Sequence, residues 1–152
     1  MTTRDRQMLR AAMAAVRDCA DTMETQAASL LQSLLAVPLD EGLRARAREL
    51  GDGLRDASGR VMFELALLQA EVVEGKTDTA TAVQRLSGMD ALMMGALASM
   101  ADVADEMEKA AERDEANEQA FVLVIESTGV LMQGLEQAKS ATQALSAATS
   151  TR

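Results

Sequence analysis

Few side chains in this sequence could do chemistry. The set comprises eleven methionines, one cysteine, 24 carboxylates and 15 lysines and arginines, and the 152 residues include no histidine, tryptophan or tyrosine. Without histidine, no side chain titrates near neutral pH at its ordinary pKa. Imidazole-centred acid–base work, histidine phosphotransfer and the commonest metal ligand are lost with it. Cys19 as a nucleophile would need a base beside it. It sits instead between Val16 and Met23 at helical spacing, the place of a small buried hydrophobe. A single cysteine forms no intramolecular disulfide, which fits a reducing compartment.

Met89, Met93, Met100 and Met107 fall on one stripe, within about 40° of each other at 100° per residue. Such a stripe could line a groove for a partner helix or an apolar ligand, and thioethers with Cys19 could hold copper(I). With no histidine and no second cysteine the copper site lacks ligands. The regular spacing favours a plain core seam. The carboxylates between Asp102 and Glu118 suggest a cation site or a mimic of a nucleic-acid backbone. They lack the EF-hand spacing and the Glu-x-x-His pairs of di-iron bundles, so a solvated charged face is expected. Arg44, Arg46, Arg48, Arg55 and Arg60 could hold an anion. Residues 44, 46 and 48 point to different helix faces, however, and no Gly-rich phosphate loop accompanies them. They read as internal partners of the acidic helix. No catalytic residue, metal or cofactor is assigned, and no enzymatic activity is expected.

The elements that carry these residues are helices. Apolar residues make up 48% of the chain but aromatics only 1%, so the core must be built from Leu, Val, Ala and Met. Ala, Leu, Met, Glu, Gln and Arg are strong helix formers and dominate throughout. Three breaks divide the chain into four similar segments. The first is Val37-Pro38-Leu39-Asp40, with Asp40 as N-cap. The second runs from Glu74 to Asp78, with Gly75 as stop and Thr77 or Asp78 as cap. The third is weaker, Arg113 to Asn117, with Asp114 or Asn117 as cap.

Between the breaks, apolar residues recur in alternating steps of three and four. The seams run Leu9 to Leu34, Leu43 to Val72, Leu86 to Ala110, and Phe121 to Leu145 through Val124, Thr128 and Leu131. That spacing keeps one stripe of each helix toward its neighbours. Short connections favour antiparallel neighbours. The expected fold is all-α: one antiparallel, up-down-up-down four-helix bundle of long helices, spanning residues 1–152 as a single domain. Arginines opening the second helix and carboxylates closing the third would then lie side by side. Gly51, Gly53 and Gly59 are weak points in the second helix. Ser87-Gly88-Met89-Asp90 could break the third, with Asp90 recapping it. The Ser/Thr/Ala-rich end, 146–152, is expected to fray.

Net charge is −9, all of it in residues 61–152, because residues 1–60 hold nine basic and nine acidic side chains. That surplus argues against nucleic acid and anionic membranes as partners. No signal peptide or transmembrane run is evident, so the cytoplasm is the expected location, with export lacking a cleaved signal as the alternative.

Apolar residues off the seam say most about function. Phe63 and Leu67 are four apart on the second helix, about 160° from the seam residue Leu65. Phe121-Val122-Leu123-Val124-Ile125 is apolar all round, and Val122 points away from the stripe of Phe121. Contiguous exposed apolar surface marks interfaces. Phe63, Leu67, Val122 and Leu123 are therefore the expected partner-binding residues. The expected role is a non-enzymatic protein-interaction module, such as an adaptor, secretion chaperone or small regulator. It would act by forming a homo-oligomer or by capturing another helical protein. The alternative is a structural or secreted bundle within a larger assembly, such as an appendage or phage particle.

Overall fold

A computed structural model describes residues 1–112 and 114–150. Four helices fill it: α1 (Thr3–Ala36), α2 (Glu41–Glu74), α3 (Thr79–Ala111) and α4 (Glu115–Ser150). Each has between 33 and 36 residues, which is about 50 Å of helix at 1.5 Å per residue. No strand occurs among the described residues.

The boundaries follow from local chemistry. Thr2 and Asp5 form a capping box at the start of α1. Pro38 has no backbone N–H and disfavours helix in the residue before it, so α1 ends at Ala36. Asp40 Oδ1 accepts from Leu43 N at 2.8 Å and caps α2. Gly75 ends α2 at φ 70°, a left-handed conformation that disfavours any residue with a Cβ. Asp78 Oδ1 accepts from Thr81 N at 2.7 Å and caps α3. At the last junction Asp114 Oδ1 accepts from Ala116 N at 3.0 Å. Asn117 plays another part: it is buried, and its Nδ2 donates to Ala110 O near the end of α3. Arg113 lies outside the described residues.

Long-range pairs fix the topology. Between α1 and α2, Ser58 Oγ donates to Ala20 O and Arg17 to Gln69. Between α2 and α3, Arg46 pairs with Glu106, and Arg85 with Glu71. Between α1 and α4, Ser127 Oγ donates to Gln26 Oε1. In the first two pairings one residue number rises as its partner's falls, so those neighbours are antiparallel. The short connections make α3 and α4 antiparallel as well. α1 also meets α3 across the diagonal, whereas among the described residues no Cα of α2 comes within 8 Å of one in α4. Of the neighbouring pairs, α2 and α3 are the most loosely joined.

The core is the set of seams. Leu9, Met23, Leu34, Leu54, Leu65, Leu68, Leu86, Met89, Met93, Met100, Met107 and Leu131 are all less than 2% exposed. Each such side chain contributes roughly 1.5–3 kcal/mol relative to full exposure. With no aromatic residue in this set, flexible methionines fill the spaces between helices.

Two expectations are corrected. α3 runs unbroken through Ser87–Asp90, and Asp90 is a buried interior residue rather than a cap. A helix held on its inner face by packing tolerates one glycine costing about 1 kcal/mol. In α4 the buried row begins Asn117, Ala120, Val124, Ser127, Leu131, while Phe121 and Thr128 are only half-buried. The rest of the expected seam, Val124, Leu131, Leu135, Ala138, Thr142 and Leu145, is buried as read; only at Phe121 and Thr128 does the preceding residue, Ala120 or Ser127, take the inner place, Ser127 with a hydrogen bond to Gln26. Residues 146–150, where fraying is expected, are helical, with Leu145 fully buried just before them. Residues 151 and 152 lie outside the described residues.

Candidate interaction surfaces

The residues singled out in the sequence separate into buried and exposed groups. The methionine stripe of α3 is core: Met89, Met93, Met100 and Met107 are all buried. Cys19 is 2% exposed. Burial pushes its thiol up to about 11, and the nearby Asp90 carboxyl adds to the shift. A thiol so protonated is a poor nucleophile at neutral pH. The acidic end of α3 is exposed, and both carboxylate oxygens of Glu106 share the single N–H of Arg46 Nε, at 2.9 and 3.1 Å. Arg46 also reaches Glu49, at 2.8 Å, and these carboxylates hold its guanidinium firmly protonated. Arg44 donates to Leu35 O. Of the five arginines, then, only Arg46 meets the acidic end of α3.

Asp90 is a feature the sequence reading misassigned. It is 6% exposed, and its Oδ1 has no hydrogen-bond partner among the described residues. Burial raises its pKa, while the nearby Thr142 hydroxyl, which donates to Ala138 O, and the Lys139 charge oppose the rise. It borders a shallow hollow of about 170 Å³ between α3 and α4, with Met94, Lys139 and Thr142. Among the described residues, no group of three or more acidic, cysteine or histidine side chains is placed to hold a metal ion.

The open surface lies between α2 and α3. Two adjoining hollows of about 710 and 480 Å³ form one groove along these helices, from Arg46 and Val103 at one end to Phe63, Glu64 and Arg85 at the other. Its width comes from glycine. A Cβ placed on Gly53, Gly59, Gly88 or Gly95 would meet nothing within 4 Å. Those four positions leave a trough where side chains would otherwise interlock. Leu92, Met89 and Leu54 form part of its floor. Phe63 stands on the rim, 64% exposed. Arg85 is held at one end by Glu64 and Glu71, and Arg46 at the other by Glu49 and Glu106. Arg55 and Arg60 line the middle, and among the described residues no hydrogen bond or ion pair holds either of them; Asp56 lies one turn from Arg60, and Asp102 lines the same stretch.

A second apolar surface is the outer ridge of α4. Val122, Ile125 and Met132 are between 45% and 48% exposed and share one face with Gly129. Glu118, Glu126 and Glu136 flank them, and no lysine or arginine occurs from residue 114 to 138.

The structure thus places the four expected partner-binding residues on two separate surfaces. Phe63 and Leu67 adjoin on α2, both exposed, but only Phe63 lines the groove. Val122 is exposed, whereas Leu123 is half-buried and packs against the core. Val122 and Leu123 share an acid-rimmed hollow of about 580 Å³ with Val37, Glu115, Glu118 and Glu126. Ile125 and Met132 escaped the sequence reading as contact residues, although the spacing 122, 125, 129, 132 is a helical stripe that would have found them. Among the described residues, no helix is long and apolar enough to cross a membrane.

No known protein family, curated protein or solved structure matches this chain.

Proposed function

We propose that this protein is a non-enzymatic helical interaction module, working by self-association or by holding a partner helix. The observation that carries this reading is Phe63, exposed on the rim of a long open groove where Met89, Leu92 and Leu54 lie among charged side chains. A monomer that worked alone would gain by filling that trough, because each helical glycine costs about 1 kcal/mol relative to alanine. The polar groups in the bundle favour no competing chemistry. Cys19 is buried with its thiol pushed up to about 11, and Asp90 is buried beside Thr142 and Lys139.

Sedimentation equilibrium of the wild type and of a Phe63→Glu, Leu67→Glu variant tests the reading. Both side chains are exposed, so the variant should keep its helical circular dichroism and its cooperative melt. The wild type is expected to associate with rising concentration and the variant to remain monomeric. Identical monomeric behaviour of both proteins, with the variant melting at markedly lower temperature, would return these residues to a purely structural role. Long open-ended oligomers would favour a structural component of a larger assembly, and a discrete complex an adaptor or chaperone.

A further inference from the structure

We infer that the hollow beside Asp90, between α3 and α4, is a binding site for a small zwitterion, a free α-amino acid the size of alanine. The inference stands apart from the interaction-module reading and uses neither the groove nor the ridge.

Two carboxylates are buried among the described residues, Asp5 and Asp90. Asp5 closes the capping box with Thr2. Asp90 has no such task. It follows Met89 on the inner face of α3, 6% exposed, and its Oδ1 meets no donor among the described residues. The Thr142 hydroxyl nearby on α4 donates to Ala138 O at 3.0 Å instead. A buried carboxylate oxygen without a donor is costly, and nearly all buried polar groups in folded proteins have a partner. This one borders open space.

Lys139 does not supply the missing donor. It is half-buried on α4 and its charge is felt at Asp90, yet no ion pair joins the two among the described residues. Both line the hollow of about 170 Å³. Ala91 and Met94 give it apolar walls, and the exposed Ser87 and Gln143 place it open to solvent.

The charges select the occupant. A simple amine would satisfy Asp90 but face Lys139. A simple carboxylate would meet Lys139 but face Asp90. A molecule with both groups can set its ammonium against Asp90 Oδ1 and its carboxylate toward Lys139, for two charge-assisted hydrogen bonds. Size narrows the class. At roughly 30 Å³ for each water-sized unit, the hollow holds about five or six non-hydrogen atoms. Alanine fits that limit, with its methyl group against Ala91 and Met94, and a peptide does not.

Nuclear magnetic resonance titration of the whole chain at neutral pH with alanine, ethylamine and propionate tests the site. Ethylamine is alanine without the carboxylate, and propionate is alanine without the ammonium group. Alanine is expected to shift the methyl signals of Ala91 and Met94 with half-saturation on the order of 1 mM, because so few atoms hold a ligand weakly. Each of the other two should need at least about tenfold more. Asp90→Asn keeps the shape and should weaken alanine by at least about tenfold. Lys139→Met should weaken alanine similarly and abolish its advantage over ethylamine, which a merely structural role for Lys139 would not do. Lys139 is half-buried, so this variant keeps the test open even if Asp90→Asn disturbs the fold. Ethylamine binding wild type as tightly as alanine would overturn the zwitterion assignment. No saturation by about 50 mM with any of the three would overturn the site itself. Neither result bears on the interaction-module reading, which sedimentation of the Phe63 and Leu67 variant tests separately.

Discussion

Gly134 of α4 passes so close to Cys19 of α1 that a Cβ placed on it would lie 3.6 Å from the sulfur and 3.8 Å from the Cys19 Cα. Those are ordinary contact distances, so one methyl group fits between the helices and anything larger does not. Gly134→Ala is therefore expected to stabilise the fold by roughly 0.5–1 kcal/mol, by relieving the cost of a glycine inside a helix. Gly134→Leu is expected to cost about 1–3 kcal/mol through overpacking. Urea melts of the two variants check the signs. Labelling of Cys19 by a thiol reagent supplies an independent readout. It should be slow in the native wild type, slower in Gly134→Ala and fast in denaturant. Native labelling as fast as that in urea would contradict the packing.

Asp90 should make stability depend on pH. Its carboxyl ordinarily titrates near 3.8, and burial raises that value in the folded protein. Well below 3.8 both folded and unfolded chains hold the proton. As pH rises past that point the unfolded chain releases it while the folded chain keeps it. The folded state then binds more protons, so the Asp90 contribution to stability falls with rising pH until the folded pKa is passed. Asp90→Asn removes the ionisation while keeping the shape. At pH 7 the variant should be more stable than wild type by about 1 kcal/mol, the scale of an uncompensated buried polar group. The gap should shrink as pH drops toward 3. Thermal melts of both proteins between pH 3 and 8 would show this, and a gap that widened on acidification would refute it.

The methionine stripe should behave as core. Met100 is fully buried. Met100→Leu, nearly volume-conserving, is expected to cost less than about 1.5 kcal/mol. Met100→Ala is expected to cost about 2–5 kcal/mol through the cavity it leaves. Comparable costs for both substitutions would mean that the thioether itself is required, and would bring back a ligand role for the stripe.

Helix positions and ends were legible in the sequence because their causes are local. Asp40 and Asp78 cap the residues three positions on, and Gly75 adopts a conformation its neighbours cannot. The period from Leu9 to Leu34, or from Leu86 to Met107, identifies the buried face before any partner is known. Phe63 and Val122 were marked as exposed for the same reason: they fall off that period.

Other features depended on groups far away in the chain. Ser127 belongs in the α4 seam because Gln26, 101 residues earlier, accepts its hydroxyl. Asn117 belongs there because Ala110 O takes its amide. Asp90 looks like a cap in the sequence and is buried because α3 and α4 close over it. Gly53, Gly59 and Gly88 read singly as weak points of their helices, and Gly95 does not stand out. Only when α2 and α3 lie antiparallel do they line one trough. Periodicity is a property of one helix and can be read from its own residues. A groove belongs to the space between two helices, and its shape is set when side chains on both have been packed.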